Sequence, residues 1–176
     1  MNVKELIQKS EIFMRQESIL IDKPVSFNLF RQGGVWMCQW LSVFENKQAI
    51  QYDTLVHFNA YGFMKYGICM AAFFVSLWCF FTWNIYLTPL SILVFYIAEI
   101  HFLFLFPLLI DKVEKPVLKS ISITYRIGLL NVLVKVIPIG FYMVFGLLRF
   151  SDPFRNWYKG CLAVLIWYQD EVRDRI

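Results

Sequence analysis

The chain has 176 residues, 59% of them hydrophobic and 19% aromatic, and carries a net charge of +4. A water-soluble domain is about 45–50% apolar, so this composition and a mean hydropathy of +0.54 point to a membrane protein. The length excludes a large transporter, and no basic stripe is present to suggest nucleic-acid binding.

In chain order, residues 3–21 read as an amphipathic helix. Val3, Leu6, Ile7, Phe13, Met14 and Ile21 fall near one stripe, with Lys4, Glu5, Lys9, Glu11 and Arg15 elsewhere. Asp22-Lys23-Pro24 ends it, because the residue before proline disfavours the helical region. A cleavable leader is not expected, since Met1 to Arg15 is charged throughout. Gly33-Gly34 reads as a second break. Trp36, Met37, Trp40, Leu41 and Phe44 then recur at helical spacing, which puts both indoles on one face. Such a helix either lies at the headgroup level or packs on the chain's own transmembrane helices. Trp36 and Trp40 are the candidate binding residues on it. Asp53 and His57 stand four apart in a mixed, polar stretch. A metal site needs more ligands than this pair supplies, so they read as a surface pair, and no metal or cofactor is expected.

Tyr66 to Ile110 is a nearly unbroken apolar run whose one formal charge is Glu99. It is too long for one crossing of about 20 residues and suits two. The first span runs from Tyr66 to Trp83, with aromatic anchors at both ends. A tight link follows through Pro89, and the second span lies within Tyr86 to Ile110, where Pro107 introduces a kink. Asp111 to Arg126 is a charged connector bearing Lys112, Lys115, Lys119 and Arg126. Ile127 to Leu148 is again long enough to span but holds Lys135, Pro138 and Gly140. A central lysine costs about 2.5–3.5 kcal/mol on insertion scales, and each large aliphatic or Phe returns about 0.3–0.6. Insertion is then only marginally favourable. Ser151-Asp152-Pro153 starts a last helix reaching about Arg173. Its apolar part, Cys161 to Tyr168, is too short to cross, so it should be interfacial or packed on other helices.

The expected fold is an all-α, polytopic helical integral membrane protein. It has an N-terminal amphipathic region (1–63), a transmembrane hairpin (64–110), a basic connector (111–126), a third membrane segment (127–150) and a C-terminal interfacial helix (151–176). Positive charge places the N-terminus and the connector in the cytoplasm and the hairpin turn outside. The third segment conflicts with that rule. If it spans, Arg149, Arg155, Lys159, Arg173 and Arg175 lie outside. If it breaks at Pro138-Ile139-Gly140 and re-enters, they return.

Glu99, His101 and Lys135 are the candidate catalytic residues, with Arg126 and Arg149 as headgroup-binding candidates. Glu99 and Lys135 would pair at similar depth, which offsets part of each desolvation cost. His101, two residues from Glu99, points about 200° away on an ideal helix. It therefore reads as a hydrogen-bonding residue, and Tyr96 is the better local partner for Glu99. The four cysteines lack CxxC spacing, so neither a disulfide framework nor a zinc site is expected. No GxSxG, P-loop, dinucleotide fingerprint or HExxH is present.

These features favour a small membrane subunit that anchors, assembles or scaffolds a larger complex. One alternative is a membrane enzyme modifying a lipid or polyprenyl substrate, and another is a proton- or ion-coupled component. The partners implied are the lipid bilayer and either a membrane protein or a second copy of the chain. The simplest location is a bacterial plasma (inner) membrane.

Overall fold

The computed structural model describes residues 1–16, 29–45, 57–147 and 153–173, and every regular element among them is helical. The helices are α1 (Val3–Gln16), α2 (Leu29–Glu45), α3 (Phe58–Trp83), α4 (Leu90–His101), α5 (Leu105–Ile110), α6 (Pro116–Ile127), α7 (Leu129–Leu147) and α8 (Pro153–Trp167). A 3-10 turn, Ile85–Leu87, joins α3 to α4, and a π-helical turn, Tyr168–Val172, closes α8. Among the described residues, three helical segments are long and apolar enough to cross a bilayer: Phe58–Trp83, Ile85–Ile110 and Leu129–Gly146. The chain divides into two compact units, Val56–Leu133 and a second made of Met1–Leu55 with Val134–Ile176.

In the first of these units α3 and α4 form the expected hairpin. α3 begins at Phe58 instead of Tyr66 and runs for 26 residues, roughly 39 Å at 1.5 Å per residue. It buries only Phe58, Gly62, Lys65 and Cys69, spaced four, three and four apart on one narrow stripe. Beyond Cys69 its large apolar side chains, such as Phe74, Val75, Trp78 and Phe81, are exposed. A helix apolar all round is at home in lipid. Asn84 ends it: its N–H reaches Phe80 O at 2.8 Å, and its Oδ1 accepts from Tyr86 N–H at 3.0 Å.

The second span is interrupted after His101. Phe102 and Leu103 donate to Glu99 O and Ile100 O through tight i→i−3 bonds before α5 resumes at Leu105. Pro107 explains the position, because its ring collides with the carbonyl four residues back, at Leu103. Breaking a helix end strands carbonyl groups, and α6 supplies donors for them. Ser120 Oγ donates to His101 O and Thr124 Oγ1 to Ile100 O, each at 2.8 Å, from fully buried positions.

Within the expected basic connector over 111–126 the chain forms a helix, α6. Pro116 sits at its start and Gly128, at φ +97°, ends it. Its buried face is Pro116, Ser120, Ile123 and Thr124, a helical spacing that Lys119 and the charges flanking the helix mask. The turn from α5 holds Lys112 (φ 53°) and Lys115 (φ 50°) in the left-handed region, which costs a non-glycine residue about 1–2 kcal/mol. Lys115→Gly should therefore raise stability by roughly 1 kcal/mol, read as a higher denaturation midpoint in detergent.

The other unit is built around α8. α1 packs against it antiparallel, with Met1 beside Glu171 and Glu11 beside Lys159. Leu6 and Ser10 form the buried face of α1, and Leu162, Ala163, Leu165, Ile166 and Trp167 that of α8. α2 adds Trp36, Cys38, Trp40 and Leu41 to the core. It runs unbroken through Gly33-Gly34, against the expected turn. Each helical glycine costs about 0.5–1 kcal/mol relative to Ala, and burial of the aromatic face beyond the pair outweighs that.

α8 also packs antiparallel to α7, with contacts at matched levels, so the last helix returns along it. Gly146 faces Asn156, Gly160 faces Met143 and Ile139, and Lys135 faces Trp167 and Glu171. α7 itself is continuous through Pro138 and Gly140. The break at 138–140 that re-entry requires is not formed.

Candidate functional site

Glu99 lies midway along Ile85–Ile110 but in the last turn of α4. Its partner is Lys65 of α3, 3.7 Å away. Lys65 enters one residue before the apolar run identified from sequence. α3 starts early enough to carry it on the Phe58-Gly62-Cys69 stripe, which faces α4. The Lys65 side chain is 5% exposed and that of Glu99 19%. Lys65 Nζ also stands 5.2 Å from the Tyr66 ring centroid and 5.4 Å from that of Phe106, where ring quadrupoles attract the cation. Cys69, Phe102 and Leu105 form the adjacent buried cluster, with Tyr61, Met64 and Phe95 packed on it. An ion pair closed in apolar surroundings meets the requirement that intramembrane charges be neutralised.

His101 does not join this pair. Its Nδ1 lies 2.6 Å from Ile97 O and its Nε2 lies 3.2 Å from Tyr125 Oη. A carbonyl only accepts, so Nδ1–H donates to it. In the neutral ring Nε2 then accepts from the Tyr125 hydroxyl. Glu99 points to α3 and His101 to α6, as the spacing of two residues predicts. The Tyr96 ring packs edge-on to Phe95 at 5.7 Å.

Lys135 has a different partner from the one expected. Its Nζ donates to Glu171 Oε2 at 2.9 Å and stands 4.6 Å from the Trp167 ring centroid. The bridge to Glu99 that the sequence suggests is therefore replaced by two separate pairs, Lys65–Glu99 and Lys135–Glu171. No family model matches the chain, and no curated protein or solved structure matches it.

Glu171 is the hub of the second charge centre. It accepts from the Met1 ammonium at 2.6 Å and from Trp167 Nε1–H at 2.8 Å, besides Lys135. Burial pulls its carboxyl upward, but these three donors outweigh burial and hold it down at about 2, against an ordinary 4.5. Glu11 is lowered likewise, first by its hydrogen bond from Lys159 and then by that from Arg15. A depressed carboxyl stabilises the fold fully above its unfolded value and ceases to do so as pH falls through its folded one. The α1–α8 pairing should accordingly weaken as pH falls from about 4.5 toward 2. Thermal unfolding followed through the acid range checks this, and Glu171→Gln should flatten the dependence.

Trp36 and Trp40 are buried within the chain. Trp40 meets Phe13 edge-on at 6.4 Å and Trp36 meets Tyr158 at 6.0 Å. Their neighbours are α1 and α8, not the transmembrane helices that the sequence suggested as a packing surface. Arg126 is exposed in the last turn of α6. Arg149 and Asp53 lie outside the described residues. A groove of about 810 Å³ in the α1–α8 unit is lined by Ile12, Phe13, Val43, Phe44 and Ile166 with Lys9, Gln169 and Asp170. Glu99, His101 and Lys135 are not among its lining residues. Among the described residues no cluster of three His, Cys, Asp or Glu side chains is placed to hold a metal.

Sequence reasoning missed Lys65, Glu171 and Lys159. Only Lys65 had a local signal, its place in the Phe58, Gly62, Cys69 repeat.

Proposed function

We propose that the chain is a small integral membrane subunit, an anchor, assembly or scaffold component of a larger complex. The observation that carries this reading is the Lys65–Glu99 pair, which neutralises the hairpin's charges within the hairpin itself. An anchor needs a self-contained membrane element of this kind. A catalytic or ion-coupled site would instead present its acid or base to a substrate or a water path. Lys135 and Glu171 are committed to each other in the same way. The helices of the α1–α8 unit supply the surface through which a partner would be held.

Purification of the tagged protein from mild detergent, read by mass spectrometry, tests the proposal. A stoichiometric protein partner is the expected result, and replacing the α3–α4 hairpin with an unrelated transmembrane hairpin should retain it. A monomer or homo-oligomer carrying one defined lipid would overturn the proposal in favour of an enzyme.

A further inference from the structure

We infer that α7 does not cross the bilayer but lies in the plane of one leaflet, so that its two ends stay on the same side as the connector. This rests on the membrane reading above and adds a lipid-facing surface to it.

The argument begins with what runs alongside α7. α8 is seated on it from Gly146–Asn156 to Lys135–Glu171, and α1 is seated on α8. Gly160 packs on Ile139 and Met143, near the middle of α7, and its neighbour Lys159 is bridged to Glu11 at 3.1 Å. Glu11 in turn holds Arg15, whose side chain is 72% exposed. Lys9 and Asp170 add a second bridge whose side chains are 49% and 40% exposed. If α7 spanned, this ladder of charges would stand at mid-depth with its outer side in hydrocarbon. Each central charge costs more than several apolar residues return, and α1 carries many.

The opposite face of α7 has the complementary character. Val134, Pro138, Phe141, Val144 and Phe145 are exposed, while Val136, Ile139 and Gly146 point into the unit. Phe141 and Phe145 stack at 5.9 Å. At 100° per residue the two sets lie on roughly opposite sides of the helix. Taken alone α7 is apolar apart from Asn131 and Lys135. The layered α7–α8–α1 assembly is amphipathic, with lipid on the α7 side and water on the α1 side, which is the physical form of an interfacial element. At the start of α8, Phe154 and Trp157 are exposed beside exposed Arg155, the residue types that favour acyl boundary and anionic headgroup. An in-plane α7 also removes the charge conflict. The connector and the basic residues after α7 then share one side, as the positive-inside rule requires.

The test uses the full chain in sealed vesicles of zwitterionic and anionic phospholipid with a single protein orientation. A membrane-impermeant amine-acylating reagent is applied to one face and the products are mapped by mass spectrometry. Native Lys115, exposed before α6, reports the connector. Arg155→Lys reports the far end of α7, and Tyr86→Lys, at the exposed hairpin turn, reports the opposite face. The expected result is that Lys115 and the amine from Arg155→Lys react from one face and the amine from Tyr86→Lys only from the other. Reaction of the Arg155→Lys amine together with that of Tyr86→Lys, and not with Lys115, would show that α7 spans and overturn the inference alone. Reaction of Lys115 and the Tyr86→Lys amine from the same face would show that the hairpin does not cross, and would overturn the membrane reading with it.

Discussion

Lys65→Met should destabilise the protein by about 3–5 kcal/mol, the cost of leaving one partner of a buried ion pair uncompensated. The reasoning starts from burial. Lys65 is 5% exposed and Glu99 19%, and at 3.7 Å each is the other's charge partner. Removing the ammonium leaves a carboxylate in an apolar unit without its charge partner. Replacing both, as Lys65→Met with Glu99→Met, should be neutral or stabilising by about 1–4 kcal/mol, because two desolvation costs vanish together. A double-mutant cycle on reversible unfolding in bicelles reads the coupling directly. The folded double variant also separates the functional readings. Under the anchor reading it still co-purifies with the partner. An enzyme or ion-coupled device built on Glu99 would be folded and inactive.

The parts of this fold that were legible in the sequence were those set by local chemistry. The hairpin followed from the length of the Tyr66 to Ile110 run and the chargeless link near Pro89, and the start of α8 followed from Pro153. The break before α5 was signalled by Pro107, displaced from the proline itself because the clash falls four residues earlier. α6 was not read from the sequence although Pro116 and Gly128 mark its two ends, since Lys119 and the charges flanking it hid a buried face of Ser120, Ile123 and Thr124. Charge pairing was the least legible. Glu99 and Lys135 are the two obvious charges in apolar sequence and invite pairing, yet each is satisfied by a residue at the edge of such sequence, Lys65 and Glu171. Lys65 and Glu99 are far apart in the chain, and only the antiparallel register of α3 and α4 brings them level. Glu171 required knowing that α8 turns back along α7, which no local pattern encodes.

That return is fixed by a close approach of two helices, and it yields the second large effect. Gly146→Ala should cost about 1–3 kcal/mol or more, as overpacking does in a filled core. A Cβ on Gly146 would meet Asn156 Cβ most closely, then Asn156 Nδ2 at 2.7 Å and Cγ at 2.8 Å. Asn156 Cβ is fixed to the α8 backbone, so no rotamer relieves the contact and the helices must separate. Separation would also stretch the bond that Tyr142 O–H donates to Asn156 Oδ1 at 3.2 Å. Gly160→Ala is the control. Its Cβ would meet Met143 Cγ and Sδ, atoms of an unbranched side chain that can turn aside. Ala also gains about 1 kcal/mol of helix propensity over Gly, so the net change at Gly160 should be small. Denaturation midpoints of the two variants should therefore differ clearly, and Asn156→Gly should recover part of the Gly146→Ala loss by removing the one atom that cannot move. Equal, mild effects at both glycines would mean that α8 does not lie against α7 at Gly146, and the route by which the C-terminal residues return beside Lys135 would have to be abandoned.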